Sequence, residues 1–316
     1  MIIIKPDVVT PATLTSTNVP ENDYSAWSST TTYNQGDRVI YDHNVYEAVS
    51  TTLNVQPDTG STANPPTWLF VSATNRFKMF DATVGSATSN PSTINVTITP
   101  STPYNALVLF GVEGATAQLI VRDSGSTIVY NETRTLADYT NVTGFYSYYF
   151  GTMPLDAQAE VAFLDIPFYT GATYQLIIDA GTGTALCAEA AFGTQTELAV
   201  TNFGTSVGIK DYSVKQVDDF GNITIVQRPY SKRAEFDLTI ETSEVGVFNR
   251  FLAGIRATPC VYIGDRNREE TIVYGYYRDF NVVLSNPSIS SCALTIEGLT
   301  YWLSRLVPPF LQRHRG

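Results

Sequence analysis

Histidine is nearly absent from this chain: only His43 and His314 occur in 316 residues. A Ser–His–Asp triad or a histidine-rich metal centre has almost nothing to be built from. Cysteine is scarce too. Cys187, Cys260 and Cys292 cannot all pair within one chain, and their scatter fits neither a disulfide framework nor a zinc-ribbon spacing. That usage suits synthesis in a reducing compartment, and it leaves open whether Cys260 and Cys292 meet across a sheet. Charged residues are only 16%, and 19 Lys and Arg against 30 Asp and Glu leave a net charge of -11. Nucleic-acid binding needs a basic face to displace counterions, so this balance argues against it. No apolar run approaches the roughly 18 residues of a membrane span. Met1 to Pro6 lacks the charged region and apolar core of a signal peptide, so none is expected. There is no Gly-x-Ser-x-Gly elbow, no P-loop and no Gly-x-Gly-x-x-Gly fingerprint, and Gly181-Thr-Gly183 reads as a loop doublet. No catalytic set, cofactor site or metal site is expected.

What fills the gap is Thr, Ser, Asn, Gly and 19 tyrosines, with 12% aromatics overall. Such a composition suits short strands, turns and broad uncharged contacts, since Tyr covers area with little entropy to lose. The predicted fold is mainly β. Residues 1–23, rich in Pro and Thr, are read as an extended arm. Residues 24–75 form an aromatic island with strands at 38–41 and 44–49. Asp42-His43 is the hairpin turn between them, and Gln56-Pro-Asp-Thr-Gly60 is a further turn. Residues 76–199 alternate β-rich runs with turns. Ile94, Val96 and Ile98 share one face, 106–110 is a central strand, and 117–122, 127–130, 144–150, 158–164 and 173–179 follow. Regular strand spacing without a helical period predicts a β-sandwich of jelly-roll type.

Residues 200–306 read as an α+β domain. A long strand covers 230–240, and Glu241-Thr-Ser243 offers a cap for a helix over 244–255. Val247, Phe251 and Leu252 share that helix's apolar face, with Phe248 and Ile255 near it, and strands return at 260–263, 270–274, 277–284 and 290–297. Residues 307–316 form a basic tail, read either as a solvated terminus or as a dock for an acidic partner. The Asn-x-Thr sequons at Asn95, Asn131, Asn141 and Asn222 are read as Thr-rich strand composition.

Glycoside hydrolysis needs only two carboxylates, so Asp156 with Glu160 and Asp218 with Asp219 are the pairs to inspect. Asp211 joins the second pair as a calcium candidate without an Asp-x-Asp-x-Asp-Gly loop. The run Asp265 to Glu270 reads as a solvated hairpin tip or as a key for a protein partner. The rings of the island, Trp27, Tyr33, Tyr41, Tyr46 and Trp68, have two readings. Exposed, they stack on sugar C–H faces. Buried, they supply the core that a module of about 45 residues otherwise lacks. The carbohydrate-binding candidates are Trp27, Tyr33, Tyr46 and Trp68.

The pattern Ala26-Trp27, Tyr33, Gly36-Asp37-x-Val39, Tyr41, Tyr46-Glu-Ala48, Pro57 and Trp68 resembles the carbohydrate-binding module of families 5 and 12, found in bacterial chitinases and cellulases. The resemblance implies a small, twisted three-stranded sheet and binding of chitin-like polysaccharide. Where that family places its exposed sugar-stacking residues, this chain has Val49-Ser50-Thr51. The end of the chain, through Ala234 to Ile240, Pro259 to Tyr262, Tyr274 to Phe280 and Leu294 to Leu299, is similar to tailed-bacteriophage tail-tip and baseplate proteins. That second resemblance implies a virion structural protein, assembled in the bacterial cytoplasm in symmetric multiple copies. Other tail proteins and host surface glycans would be its partners. The alternatives are a secreted chitin-binding accessory protein and a glycan-degrading enzyme.

Overall fold

A computed structural model of the protein describes residues 1–136, 160–217, 221 and 223–301. The fold is mainly β, with antiparallel sheets. Its strands open with β1 (Ile2–Pro6) and β2 (Leu14–Thr17). The small module follows: β3 (Thr32–Tyr33), β4 (Arg38–Tyr41), β5 (Asn44–Ala48), β6 (Thr52–Leu53), a short helix α1 (Pro57–Thr62) and β7 (Trp68–Ala73). Next come β8 (Thr88–Ile98), β9 (Ala106–Phe110), β10 (Thr116–Arg122), β11 (Ile128–Thr135), β12 (Glu160–Phe163), β13 (Thr173–Cys187) and β14 (Glu189–Glu197). The remainder comprises β15 (Val200–Thr201), β16 (Ser206–Asp211), β17 (Val214–Val217), β18 (Ile223–Val226), β19 (Tyr230–Glu241), the helix α2 (Val245–Gly254), β20 (Cys260–Ile263), β21 (Ile272–Val283) and β22 (Ile289–Tyr301).

The first finding corrects the reading of residues 1–23 as an arm. β1 lies inside the largest sheet, hydrogen-bonded to β14 on one side and β20 on the other. Ile2, Ile3 and Ile4 are all buried, so the run has no polar alternation to mark it as a strand. The sheet runs β12-β9-β14-β1-β20-β21-β22-β19-β15, with β16 also on β19. No break in pairing falls at the expected boundary near residue 200. Strands of the sandwich region and of the C-terminal region belong to one sheet, and β1 joins them.

A second sheet, β11-β10-β13-β8-β2, packs on part of the first and completes the expected sandwich. Ile94, Val96, Ile98, Leu119, Leu176 and Ile178 meet Leu107, Leu109 and Phe192 there. The helix α2 covers the other part of the same face, over Ile3, Phe236, Leu238, Tyr262 and Leu294. Its buried stripe is Phe248 and Leu252, continued by Ile255 just beyond the helix, at spacings of four and three. Val247 is 51% exposed, so the apolar face is rotated from the expected one. The cap also differs: Thr242–Glu244 is a 3-10 turn, and the N-cap position is Glu244 with no side-chain cap.

The opposite face of the large sheet curls on itself. Phe110 of β9 and Tyr274 of β21 are four strands apart, about 19 Å in a flat sheet. Their rings nevertheless stack with centroids 5.3 Å apart. β12 and β19 are seven strands apart, yet Glu160 and Lys232 form an ion pair between them. Inside the curl lie Ile2, Ile4, Val108, Phe110, Val261 and Tyr274. Tight curvature needs close backbones, and Gly275 sits opposite Gly298. A Cβ on Gly275 would fall 2.1 Å from the Glu297 carbonyl oxygen. Bulges at Ser231/Arg233 and Tyr277/Asp279 bend the same strands.

The three thiols are free and buried. Cys260 pairs with Gly275, which faces Gly298, whereas Cys292 lies six residues along β22 from Gly298. That offset is about 20 Å, far outside disulfide reach. The strand expected at 144–150 and the basic tail lie outside the described residues. The doublet Gly181-Thr-Gly183 is part of the long, bulged β13 rather than a separate loop.

Because β1 is buried on both faces, truncating it should weaken the whole body. Ile3→Ala and Ile4→Ala are each expected to cost about 2–5 kcal/mol in urea unfolding. Val8→Ala, at a side chain 72% exposed, is expected to change stability by less than about 0.5 kcal/mol. Equal small effects at all three sites would contradict this role for β1.

Candidate functional site

The small module forms as its rings are buried. β4, β5 and β7 make a three-stranded sheet, and β3 pairs with β6 beside it. Asp42 and His43 both have positive φ, as the tight hairpin turn requires. The expected turn at 56–60 is the start of α1. Gly60 is needed there for closeness and not for positive φ, since a Cβ would lie 2.5 Å from the Trp68 ring.

Three of the four sugar-stacking candidates sit in this core. Trp68, Tyr46 and Tyr33 are buried around Val39 and Ala48. Trp68 Nε1 donates to the Val55 carbonyl at 3.0 Å, and Tyr33 Oη accepts from the Ser28 N–H at 2.8 Å. Trp27 is half-buried, edge-on to Tyr41 with centroids 5.6 Å apart, and its Nε1 is buried without a hydrogen-bond partner. Tyr33, Tyr46 and Trp68 therefore present no open ring face, and Trp27 presents little.

Other side chains face solvent. Residues directly opposite in neighbouring strands share a face. Arg38, Glu47 and Leu69 form one such row, and Val39, Tyr46 and Phe70 the other. On the first row Arg38 Nε donates to Glu47 at 2.8 Å, while its Nη1 donates to the Tyr24 hydroxyl at 3.1 Å. On the second row Phe70 is 53% exposed and meets Tyr46 edge-on at 5.9 Å. Gln56 Nε2 donates to the Tyr41 hydroxyl at 2.9 Å. The Tyr46 phenol is pushed above its ordinary value by burial, then by the charges of Asp58 and Asp42. An exposed phenyl ring is the kind of surface on which the C–H face of a sugar stacks.

The module is bolted to the body. Glu21 accepts from His43 Nδ1 at 2.9 Å and from the Thr74 hydroxyl at 2.7 Å, and pairs with Arg76 at 3.3 Å. Arg76 Nε also donates to the Val19 carbonyl. Asp23 accepts from the Asn75 N–H at 3.0 Å, and the His43 ring lies 4.6 Å from Phe77. His43 thus holds the joint together.

Of the carboxylates inspected as candidate pairs, only Glu160 lies among the described residues. Glu160 is buried against Lys232, and Asp156, Asp218 and Asp219 lie outside the described residues. The run Asp265 to Glu270 holds its charges in local pairs, with Arg268 to Asp265 and Glu270, while Arg266 reaches Asp165. Among the described residues no three His, Cys, Asp or Glu are grouped to hold a metal ion. One acidic pair escaped sequence reasoning. Glu189 is buried at the end of the curl and accepts from the N–H of Ala82, a residue held at φ 58. Its Oε2 has no partner. Burial, then the nearby Asp81 charge, raises the Glu189 carboxyl well above the ordinary range. Asp81 is raised by its own burial. This pair has no signature in sequence, because the turn ending at Asp81 meets Glu189 of β14 only through the fold.

A third unforeseen feature is the edge of the large sheet. Among the described residues nothing pairs with the outer side of β16, and β17 and β18 pair only with each other. No protein-family model matches the chain, no curated protein is detectably similar to it, and no solved structure matches it.

A carboxyl whose pKa is raised on folding stabilises the native state fully below its unfolded pKa. That contribution is lost as pH rises through the folded value. Glu189→Gln keeps the neutral form at every pH. The variant should gain on wild type by up to about 1.4 kcal/mol per pH unit within that window. Urea midpoints measured from acid to mildly alkaline pH would show it, and parallel pH profiles would refute it.

Proposed function

We propose that this chain is a non-enzymatic structural protein of a bacteriophage tail tip or baseplate. It assembles with other tail proteins inside the bacterial host and carries a small module that touches host surface glycans. The observation that carries this reading is the joint at Glu21. A module resembling a sugar-binding domain is held through Glu21, which bonds His43, Thr74 and Arg76, to a body with one through-going sheet. An accessory protein that searches a polysaccharide gains from a loose tether. A particle component gains from a module held in a fixed direction, because many weak contacts then act at high effective concentration.

A second reading, a secreted chitin-binding accessory protein, is favoured by the exposed Phe70 ring. The two separate experimentally. Mass spectrometry of purified particles from the source bacterium should detect this chain at several copies per particle, and its absence would overturn the virion reading. Pull-down of the full chain on host cell wall should fall at least threefold in Phe70→Ala, with Phe203→Ala unchanged. Binding to pure chitin at equal strength, with no chain in particles, would instead support the accessory reading.

A further inference from the structure

Residues 81–86 form a small loop whose base is pinned shut. The Met79 N–H donates to the Thr88 hydroxyl at 2.9 Å, and both residues are fully buried. Met79 is seated in the core of the sandwich, whereas Val84 is seated in the core inside the curl. A loop closed at its base opens as a unit, without unpairing a strand. Its polar side chains bond to the loop itself. Asp81 accepts from the Thr83 N–H at 2.9 Å, from the Thr83 hydroxyl at 2.6 Å and from the Ser86 hydroxyl at 3.3 Å. The loop is fastened to the sheet by the Val84 side chain and by the Ala82 N–H, which donates to Glu189 of β14. Ala82 makes that bond from φ 58, a left-handed conformation unfavourable for alanine.

Glu189 is an anchor with no counter-charge. It is 3% exposed, and its Oε2 has no hydrogen-bond partner. The charge that acts on it is that of Asp81, of the same sign. Among the described residues neither carboxyl forms an ion pair. Lys78 is drawn to Asp23 at 3.8 Å, and Lys232 is taken by Glu160, which lies in one row with Phe110 and Glu189. The other titratable groups at the site are neutral. They are the Tyr274 phenol of β21 and the Cys187 thiol of β13, both pushed up by burial, and the thiol donates to the Glu189 carbonyl at 3.5 Å. An ionised Glu189 would thus lie in a dry site facing a second carboxylate.

We propose that residues 81–86 form a pH-released strap, closed over the end of the curl while Glu189 holds a proton and lifted when that proton leaves. Protonated, Glu189 still accepts from Ala82 and adds no charge beside Asp81. Ionised, it is repelled by Asp81 and is without water. Lifting the loop hydrates both carboxylates, returns Ala82 to an ordinary φ and withdraws Val84. It uncovers the curl core beside Phe110, the residue opposite Glu189, while the Met79–Thr88 base and the strands stay in place. The closed form holds the proton more tightly than the open form. Closure is therefore complete below the ordinary glutamate range and weakens as pH rises through the raised Glu189 value.

Amide hydrogen exchange on the full chain tests this, with rates divided by the intrinsic ones so that the pH dependence of exchange itself cancels. From about pH 5 to 9, protection at Ala82 should fall by up to about tenfold per pH unit within the titration window. Amides of β1 and β9 should keep their protection over the same range. Glu189→Gln retains an acceptor for Ala82 without a charge, so its Ala82 protection should not vary with pH. Asp81→Asn removes the like charge, and the fall should shrink. Fluorescence of a dye that binds apolar surface should rise with pH in the wild type and stay flat in Glu189→Gln. Ala82 protection that is flat with pH in the wild type overturns the strap. An equal fall in β1 and β9 does so too, as does a fall that persists undiminished in both variants.

Discussion

The backbone pairing of Ile2–Pro6 is the constraint on which the body depends. Its residues bond to 193–197 on one side and to 261–263 on the other. Ile3 points to the core beneath α2, whereas Ile2 and Ile4 point into the curl. One five-residue strand therefore has a share in two cores and links two regions of the sheet. Each buried isoleucine contributes about 1.5–3 kcal/mol by transfer from water. The hydrogen bonds add less net energy, but leaving them unmade in this dry interior would cost about 1–3 kcal/mol per group.

Curling follows from that join. With β1 completing it, the sheet is long enough to bend until β12 meets β19, and the opposed glycines at 275 and 298 let the backbone do so. A curled sheet has few open edges. The buried ion pair of Glu160 with Lys232 lies at the closure, where it specifies which strands meet more than it adds stability.

Much of the architecture was legible because strands covered on one face alternate. Thr93 to Ile98, Tyr230 to Ile240 and the buried run 106–110 all read correctly. What failed has physical reasons. Three isoleucines buried on both faces have no period, and a following proline suggests an arm. The cap at α2 was misplaced because a 3-10 turn takes the polar residues first. In the small module the aromatic pattern was visible, but the pattern alone did not say which way the rings point. Buried Trp68 and exposed Phe70 share one face of β7, and buried Tyr46 lies opposite Phe70 on β5, so alternation alone does not separate them. The Glu189–Asp81 pair and the Glu21 joint depend on long-range placement that no local pattern encodes.

Synthesis imposes an order on this topology. During translation β1 leaves the ribosome long before its partners, Glu197 and then Ile263 and their neighbours. For most of translation a three-isoleucine segment has nothing to pair with, so it needs shelter from chaperones or a collapsed precursor. Contacts this distant in sequence also slow the final step, because loop closure precedes the reward of pairing. The small module, whose strands are neighbours in sequence, is free of that delay. Nascent chains are thus expected to display a finished module on an unfinished body.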